Sequence, residues 1–432
     1  MAPGYVCMAR RFVAVSLPGR GGGDRRLIAR LVAIAVSLTV VAAACGNSGD
    51  DSGDGDAAAS GSRATDGTVD GDVRSALAGW PDVDDSFPEP IVDPADLRSG
   101  FGGSRAVPDR IPAIDEPKFA PAREIDFLAD NEPVLSVRLG DEARAYPVQI
   151  MIWHELVNDT VDGSPVAVSY CPLCNSALAF GRQLGDRVLD FGTSGLLHNS
   201  ALVMYDRQTE SLWDHFTGQA IIGELTGEQL EVFPMQTVAW GTWRDANADA
   251  LVLTRDTGHS RDYGNNPYGG YDDIDSSPFL FDGENDDRLR AMERVVTVRD
   301  EDLPPDIRGA DGAVAVRQKE LVELGVLEVD MGGTRLVFWA EPGTASSLDS
   351  GSIAAGQDVG ATGVFVPVVD GRELTFERHD DRFVDNETTS GWNLLGRAVD
   401  GPLAGTQLEA IPHLNTFWFA WATFEPDTQI LP

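Results

Sequence analysis

The chain has 432 residues, enough for two or three domains with real cores. Its 69 acidic residues against 33 basic ones give a formal charge of -36, which repels nucleic-acid phosphates and anionic headgroups and sets both aside as partners. The acids are spread rather than gathered into a calcium-binding loop, and 46 Gly with 25 Pro point to many turns, hence more strand than helix.

In chain order, the first predicted element is a targeting segment, residues 1–45. Arg25, Arg26 and Arg30 precede an apolar run over residues 31–44, too short for a comfortable membrane span. The run ends Ala42, Ala43, Ala44, Cys45. Small residues directly before a cysteine resemble a bacterial lipoprotein cleavage box. The expectation is export, lipidation at Cys45 and anchoring to the extracytoplasmic face of the cell membrane; an ordinary signal peptide or a short anchor helix is the alternative. Residues 46–80 are Gly, Asp, Ser and Ala with almost nothing apolar, a composition that makes a disordered tether. Residues 81–121 are Pro-rich and predict an extended segment lying on the first domain.

The rest reads as one unit written twice. Residues 225–234 (LTGEQLEVFP) match 403–412 (LAGTQLEAIP), and Trp240 and Trp243 match Trp418 and Trp421 at the same spacing. Asp206 to Trp213 likewise match Asp385 to Trp392. Matches in the same order predict a first repeat over 122–255 and a second over 292–432, joined by a Gly/Asp/Tyr-rich connector over 256–291. Within the first repeat, strands are predicted at 134–138 and up to Tyr146, then a helix from Pro147 to about Val157, and a strand at 166–170. Segments 177–180 and 188–191 read as a hairpin, and 192–200 as a glycine-hinged loop. In the second repeat, 318–324 reads as a helix stopped by Gly325, and 364–369 with 374–376 as a hairpin around Asp370 and Gly371. The predicted fold class is α+β and β-rich: two tandem pseudo-repeated antiparallel-sheet domains with short helices.

Four motifs carry a resemblance: 170–177 (YCPLCNSA), 191–200 (FGTSGLLHNS), 202–209 (LVMYDRQT) and 260–268 (SRDYGNNPY). Together they resemble domain of unknown function family 3179, secreted or anchored proteins of bacteria and archaea. The resemblance implies a family and no particular reaction.

The two repeats differ in where reactive residues fall. Cys171 and Cys174 align with Glu341 and Thr344, His154 with Leu324, and His215 with Leu394. His198 has no clean counterpart. A first repeat that carries a site and a second that is scaffold would look like this; so would plain drift around a leftover structural pair. Cys171-Pro-Leu-Cys174 supports two chemistries. Two thiolates can bind a transition metal such as zinc, iron or copper, with His198, His215 or His154 completing the shell. Alternatively the pair is a redox disulfide of the labile kind. A structural disulfide in a non-catalytic, surface-tethered binding or scaffold module is the competing reading. A thioredoxin-like fold is discounted, because the motif precedes a hairpin and not a long helix. Ser194, Arg207, Arg261 and Tyr263 are candidates to line a ligand cleft, with His259 and Tyr268 nearby. A hydrolase using His198 with Ser194 or Asp206 is the weakest reading, since no Asp–His pairing is visible. Asp206 and Trp213 recur in the second repeat and are assigned to structure.

Overall fold

Runs of alternating and fully apolar residues set the local structure, and glycine or Asx turns end them. The computed structural model describes residues 86–102, 106–305, 307–308, 312–380 and 382–432. Cys45, the leader, the 46–80 tether and residues 81–85 lie outside these. No helix among the described residues is long and apolar enough to cross a membrane.

The strand Pro133–Leu139 turns at Gly140, which takes φ +52°, and returns as Glu142–Pro147 with Leu139 opposite Glu142. Only glycine adopts that angle freely. These strands sit in a sheet ordered Met235–Ala239, Pro133–Leu139, Glu142–Pro147, Leu251–Leu253, Phe119–Pro121, in which Leu251–Leu253 runs parallel to its Glu142–Pro147 neighbour. A later sheet is ordered Leu414–Phe417, Arg294–Arg299, Ala313–Arg317, Gln429–Leu431, with its last pair parallel. Two four-stranded antiparallel sheets follow the same alternation. One holds Leu156–Val161, Ser164–Cys171, Ser176–Gly181 and Val232–Phe233; the other holds Val326–Met331, Thr334–Glu341, Ala361–Val366 and Glu409–Ala410. The chain is thus β-rich, with several mostly antiparallel sheets and, among the described residues, four α-helices of seven residues each.

Several local expectations need correction. The first helix is Val148–His154, not 147–157, because Glu155 leaves the helical region at φ +60° and Leu156–Val161 pairs as a strand with Ser164–Cys171. The helix Gln318–Leu324 does stop at Gly325. Segments 177–180 and 188–191 do not form a hairpin. Ser176–Gly181 pairs with Ser164–Cys171, while Phe191–His198 pairs with Ala201–Asp206. Between them Arg182 anchors a small excursion, donating to the carbonyl of Leu189 and to Asp190. Residues 192–198 are therefore strand, bulged between Thr193 and Leu196, rather than a loop. The Asp370–Gly371 turn joins only Val368–Val369 and Arg372–Glu373; Ala361–Val366 belongs to the neighbouring sheet. Of the Pro-rich segment, Leu97–Ser99 and Phe119–Pro121 add edge strands to two sheets.

The core is built around tryptophans: Trp213, Trp240, Trp243, Trp339, Trp392, Trp418 and Trp421 are fully buried. Two of their indole N–H groups donate to buried carboxylates, Trp213 to Asp206 at 2.9 Å and Trp392 to Asp385 at 3.0 Å. Asp385 also accepts from the Thr388 and Ser390 backbones, so one carboxylate fixes both a turn and an indole. Asp385→Ala strands these donors in the interior and is expected to lose about 3 kcal/mol of stability, read from the urea unfolding midpoint. One apolar cluster runs from Ala113 to Ala422 and includes Cys171, Cys174, Phe417 and Trp421. The cysteine turn therefore lies inside packed protein, against residues from the far end of the chain.

Candidate functional site

Cys171 is the last residue of the strand Ser164–Cys171 and stands opposite Ser176, so Pro172, Leu173, Cys174 and Asn175 form the tip of a hairpin. Asn175 takes φ +51°, a left-handed angle that Asn tolerates better than most residues. The tip is clamped from outside. Thr416 Oγ1 and the Phe417 N–H both donate to the Cys174 carbonyl, at 2.7 and 3.1 Å, and Tyr271 Oη donates to the Leu173 carbonyl at 2.8 Å. Both cysteines are free thiols and both are buried.

The two thiols differ. Burial opposes charge on Cys171, but the Cys174 thiol and the backbone N–H groups of Cys174, Leu202 and Leu173 donate to its sulfur and hold it below the ordinary thiol value. Its sulfur also lies 3.8 Å from the Ser200 carbonyl, to which it is placed to donate. Burial and then the neighbouring Cys171 push Cys174 up. The two thiols are thus shifted in opposite directions, Cys171 down and Cys174 up. From Cys174 a chain of hydrogen bonds runs inward: Sγ to Ser176 Oγ at 2.9 Å, Ser176 Oγ to His215 Nε2 at 2.8 Å, and His215 Nδ1 to Ser169 Oγ at 2.7 Å. His215 is lowered to about 4 by burial, so its ring is neutral and one nitrogen donates while the other accepts.

The structure brings Cys171, Cys174 and His215 together and leaves the other histidines elsewhere. His198 Nδ1 lies 2.6 Å from Asp214 Oδ2, and its ring meets Phe424 edge-on. His154 is held between the Pro112 carbonyl at 2.7 Å and Tyr263 Oη at 2.6 Å. Among the described residues no group of three or more His, Cys, Asp or Glu side chains is placed to hold a metal ion. A family model described as a protein of unknown function, DUF3179, matches residues 108–428. The chain belongs to the DUF3179 family. Neither a curated protein nor a solved structure matches it.

The remaining sequence candidates of this DUF3179 chain do not share one cleft. Ser194 is buried in the bulged strand, its hydroxyl donating to the Val203 carbonyl at 2.5 Å, which removes it as a partner for His198. Arg207 is paired with Asp109 and Asp115, and Arg261 contacts the Ser260 carbonyl. Tyr263 belongs with His154 and Thr257. Asp206 is taken by Thr209 and Trp213. A cavity of about 930 Å³ lies elsewhere, lined by Arg138, Phe233, Gln236, Asp302, Arg308 and Gln407 among others, and none of the site candidates reaches it.

Sequence reasoning missed Ser176, Ser169 and the His198–Asp214 pair. Ser176 was findable: it opens the strand directly after the Cys-x-x-Cys turn, two residues past Cys174. Ser169 and Asp214 were not, since their partners depend on how separate sheets pack.

Proposed function

We propose that this protein is an exported, lipid-anchored dithiol protein, in which Cys171 and Cys174 exchange with disulfides at the outer face of the cell membrane. The observation that carries the reading is the inequality of the pair: the Cys171 thiol is lowered, while Cys174 is raised and hydrogen-bonded to Ser176. Thiol–disulfide exchange needs this division, an attacking thiolate and a resolving thiol. The Cys171 thiolate attacks one sulfur of a partner disulfide, forming a mixed disulfide and releasing the other sulfur as a thiolate. Cys174 then loses its proton and attacks Cys171 Sγ. The second partner sulfur leaves, the partner is reduced by two electrons, and Cys171–Cys174 is oxidised by two. Cys171 is only 2% exposed, so exchange requires local opening, and the adjoining turn with positive φ at both Asn199 and Ser200 is the place for it.

The two halves are in this reading a duplication, with the second as brace. Matched sequence blocks support it, as do a parallel strand in each of two sheets, Leu251–Leu253 and Gln429–Leu431, and the shared Asp–Trp bond at Asp206–Trp213 and Asp385–Trp392. The clamp of Thr416 and Phe417 on Cys174 is what a brace would do. Lipidation of Cys45 and membrane attachment rest on the leader sequence.

The test is equilibration of the purified chain with oxidised and reduced glutathione, followed by mass mapping of the peptide that contains both cysteines. Reversible loss of two hydrogens from that peptide is expected. A pair that stays reduced under all ratios, or never reopens once oxidised, would leave a structural brace in a binding module. Zinc, iron or copper retained through anaerobic purification would replace the dithiol reading with a metal-binding one.

A further inference from the structure

We infer that the cavity holding Arg138 and Asp302 is a binding site for a small monocarboxylate that also bears hydroxyl or ammonium donors, with Arg138 gripping its carboxylate. The site is separate from the cysteine turn and does not rest on the dithiol reading.

Two arginines stand in like places. Arg138 lies opposite Ala143, in a strand whose Val134 pairs with Val238, two residues before Trp240. Arg299 lies opposite Ala313, in a strand whose Val295 pairs with Thr416, two residues before Trp418. The helices Trp240–Ala246 and Trp418–Phe424 end at Asn247 and Glu425, and these end residues meet the two arginines. Arg299 Nε donates to Glu425 Oε1 at 2.6 Å, an ion pair. Arg138 Nη2 donates to Asn247 Oδ1 at 2.9 Å, a neutral amide, and Arg138 forms no ion pair among the described residues. The charges that reach it are Arg397, which opposes its own, and then the exposed Asp141. A half-buried guanidinium with only a neutral partner is incompletely compensated, and the second arginine shows that a carboxylate completes it.

Arg138 and Asn247 both line the cavity of about 930 Å³, a size that takes a small molecule, and Asp302 lines it too. The Asp302 side chain is 7% exposed, yet its Oδ2 accepts no hydrogen bond. Arg299 Nη1 stands 3.8 Å from that oxygen and donates instead to the Phe216 carbonyl at 3.1 Å. A buried carboxyl oxygen with no donor is costly, and a ligand in the cavity can supply one. Other wall groups also want donors. Gln236 Nε2 donates to the Leu394 carbonyl at 3.2 Å and Gln407 Nε2 to the Leu395 carbonyl at 2.8 Å, which leaves their oxygens to accept. Arg308, the second cation of the wall, lies on the Asp302 side and donates through Nε to the Leu303 carbonyl at 2.6 Å. The set fits a ligand with one negative charge and several donors. Its carboxylate takes on Arg138 the place that Glu425 takes on Arg299, its hydroxyl or ammonium groups meet Asp302 and the amide oxygens, and Phe233 and Leu408 pack against its body. The exposed Glu231, Glu301 and Glu409, which also line the cavity, repel a second negative charge.

The test is calorimetric titration and thermal melting of the full chain, with lactate, gluconate, leucine and leucyl-glycine as probes and citrate and inorganic phosphate as controls. At least one of the four monocarboxylates is expected to bind and to raise the melting temperature, and neither control is. Arg138→Gln is expected to weaken that binding about a hundredfold, the effect of removing one partner of a buried charge pair. Asp302→Asn is expected to weaken it about tenfold, the effect of a hydrogen bond to a charged group. Asn247→Glu supplies the missing carboxylate from within the chain, as Glu425 does for Arg299. It is expected to abolish binding while melting no lower than the wild type, which separates loss of the site from loss of the fold. Binding of none of the four probes, equal or tighter binding of phosphate or citrate, or full affinity in Asn247→Glu would each overturn the inference. So would an Asn247→Glu chain that melts well below the wild type, since Arg138 would then have no place for a carboxylate.

Discussion

Cys171→Ser is expected to abolish disulfide exchange, while Cys174→Ser is expected to stop it half-way, at a mixed disulfide that accumulates. The difference follows from the unequal environments. The Cys171 thiol is held below the ordinary value by Cys174 and neighbouring backbone groups, and a serine hydroxyl in its place is not ionised at any accessible pH. Loss of the nucleophile should lower the exchange rate on the order of a thousandfold or more. Cys174 has the opposite setting, raised by burial and by its neighbour, and bonded to Ser176. Its replacement leaves the attacking thiolate but removes the group that resolves the adduct. Mass mapping after brief exposure to oxidised glutathione separates the cases: no adduct on Cys174 in Cys171→Ser, and a persistent glutathione adduct on Cys171 in Cys174→Ser. Adducts of equal yield on both variants would sink the assigned roles. Neither change should unfold the protein, since serine is close in size and both positions already have polar neighbours.

Much of this arrangement was legible in the sequence because local rules governed it. Gly140 and Gly325 sit where glycine angles are required. The Cys-x-x-Cys motif reads in the sequence as preceding a hairpin of 177–180 with 188–191, whereas it is itself the tip between Ser164–Cys171 and Ser176–Gly181. Pairing between distant strands was not legible. Phe191–His198 looks like a glycine-rich loop because Gly192 and Gly195 lack side chains, yet Tyr205 and the Val107 backbone occupy the space their side chains would fill. A glycine can mark close approach as readily as a hinge. The histidines show the same limit. His154, His198 and His215 look interchangeable as ligands along the chain, and three different tertiary partners separate them: Tyr263, Asp214 and Ser176.

Stability should fall steeply as the medium is acidified from about 6.5 to about 4, and His215 should supply a large part of the fall. Burial lowers His215 from 6.5 to about 4, and it lowers His154 by the same route to about 4. In the unfolded chain each imidazole takes a proton near 6.5; in the folded chain neither does until about 4. Between those values the unfolded state binds more protons, so acid favours unfolding, and the stabilisation present above 6.5 is lost on the way down. Each ring contributes about 3 kcal/mol over that window, at roughly 1.4 kcal/mol per pH unit. Asp302, raised to about 6 by burial, works in the opposite direction over part of the same range, so the total curve is not the sum of two histidines. A difference measurement removes that complication. His215→Gln retains hydrogen-bonding atoms for Ser169 and Ser176 but cannot titrate, and every other group is common to both proteins. Urea unfolding of the two across this range should therefore show curves that converge as the pH falls, the variant losing less stability per unit. Parallel curves would mean that His215 is protonated in the fold, and the neutral hydrogen-bonded chain from Ser169 to Cys174 would then have to be redrawn.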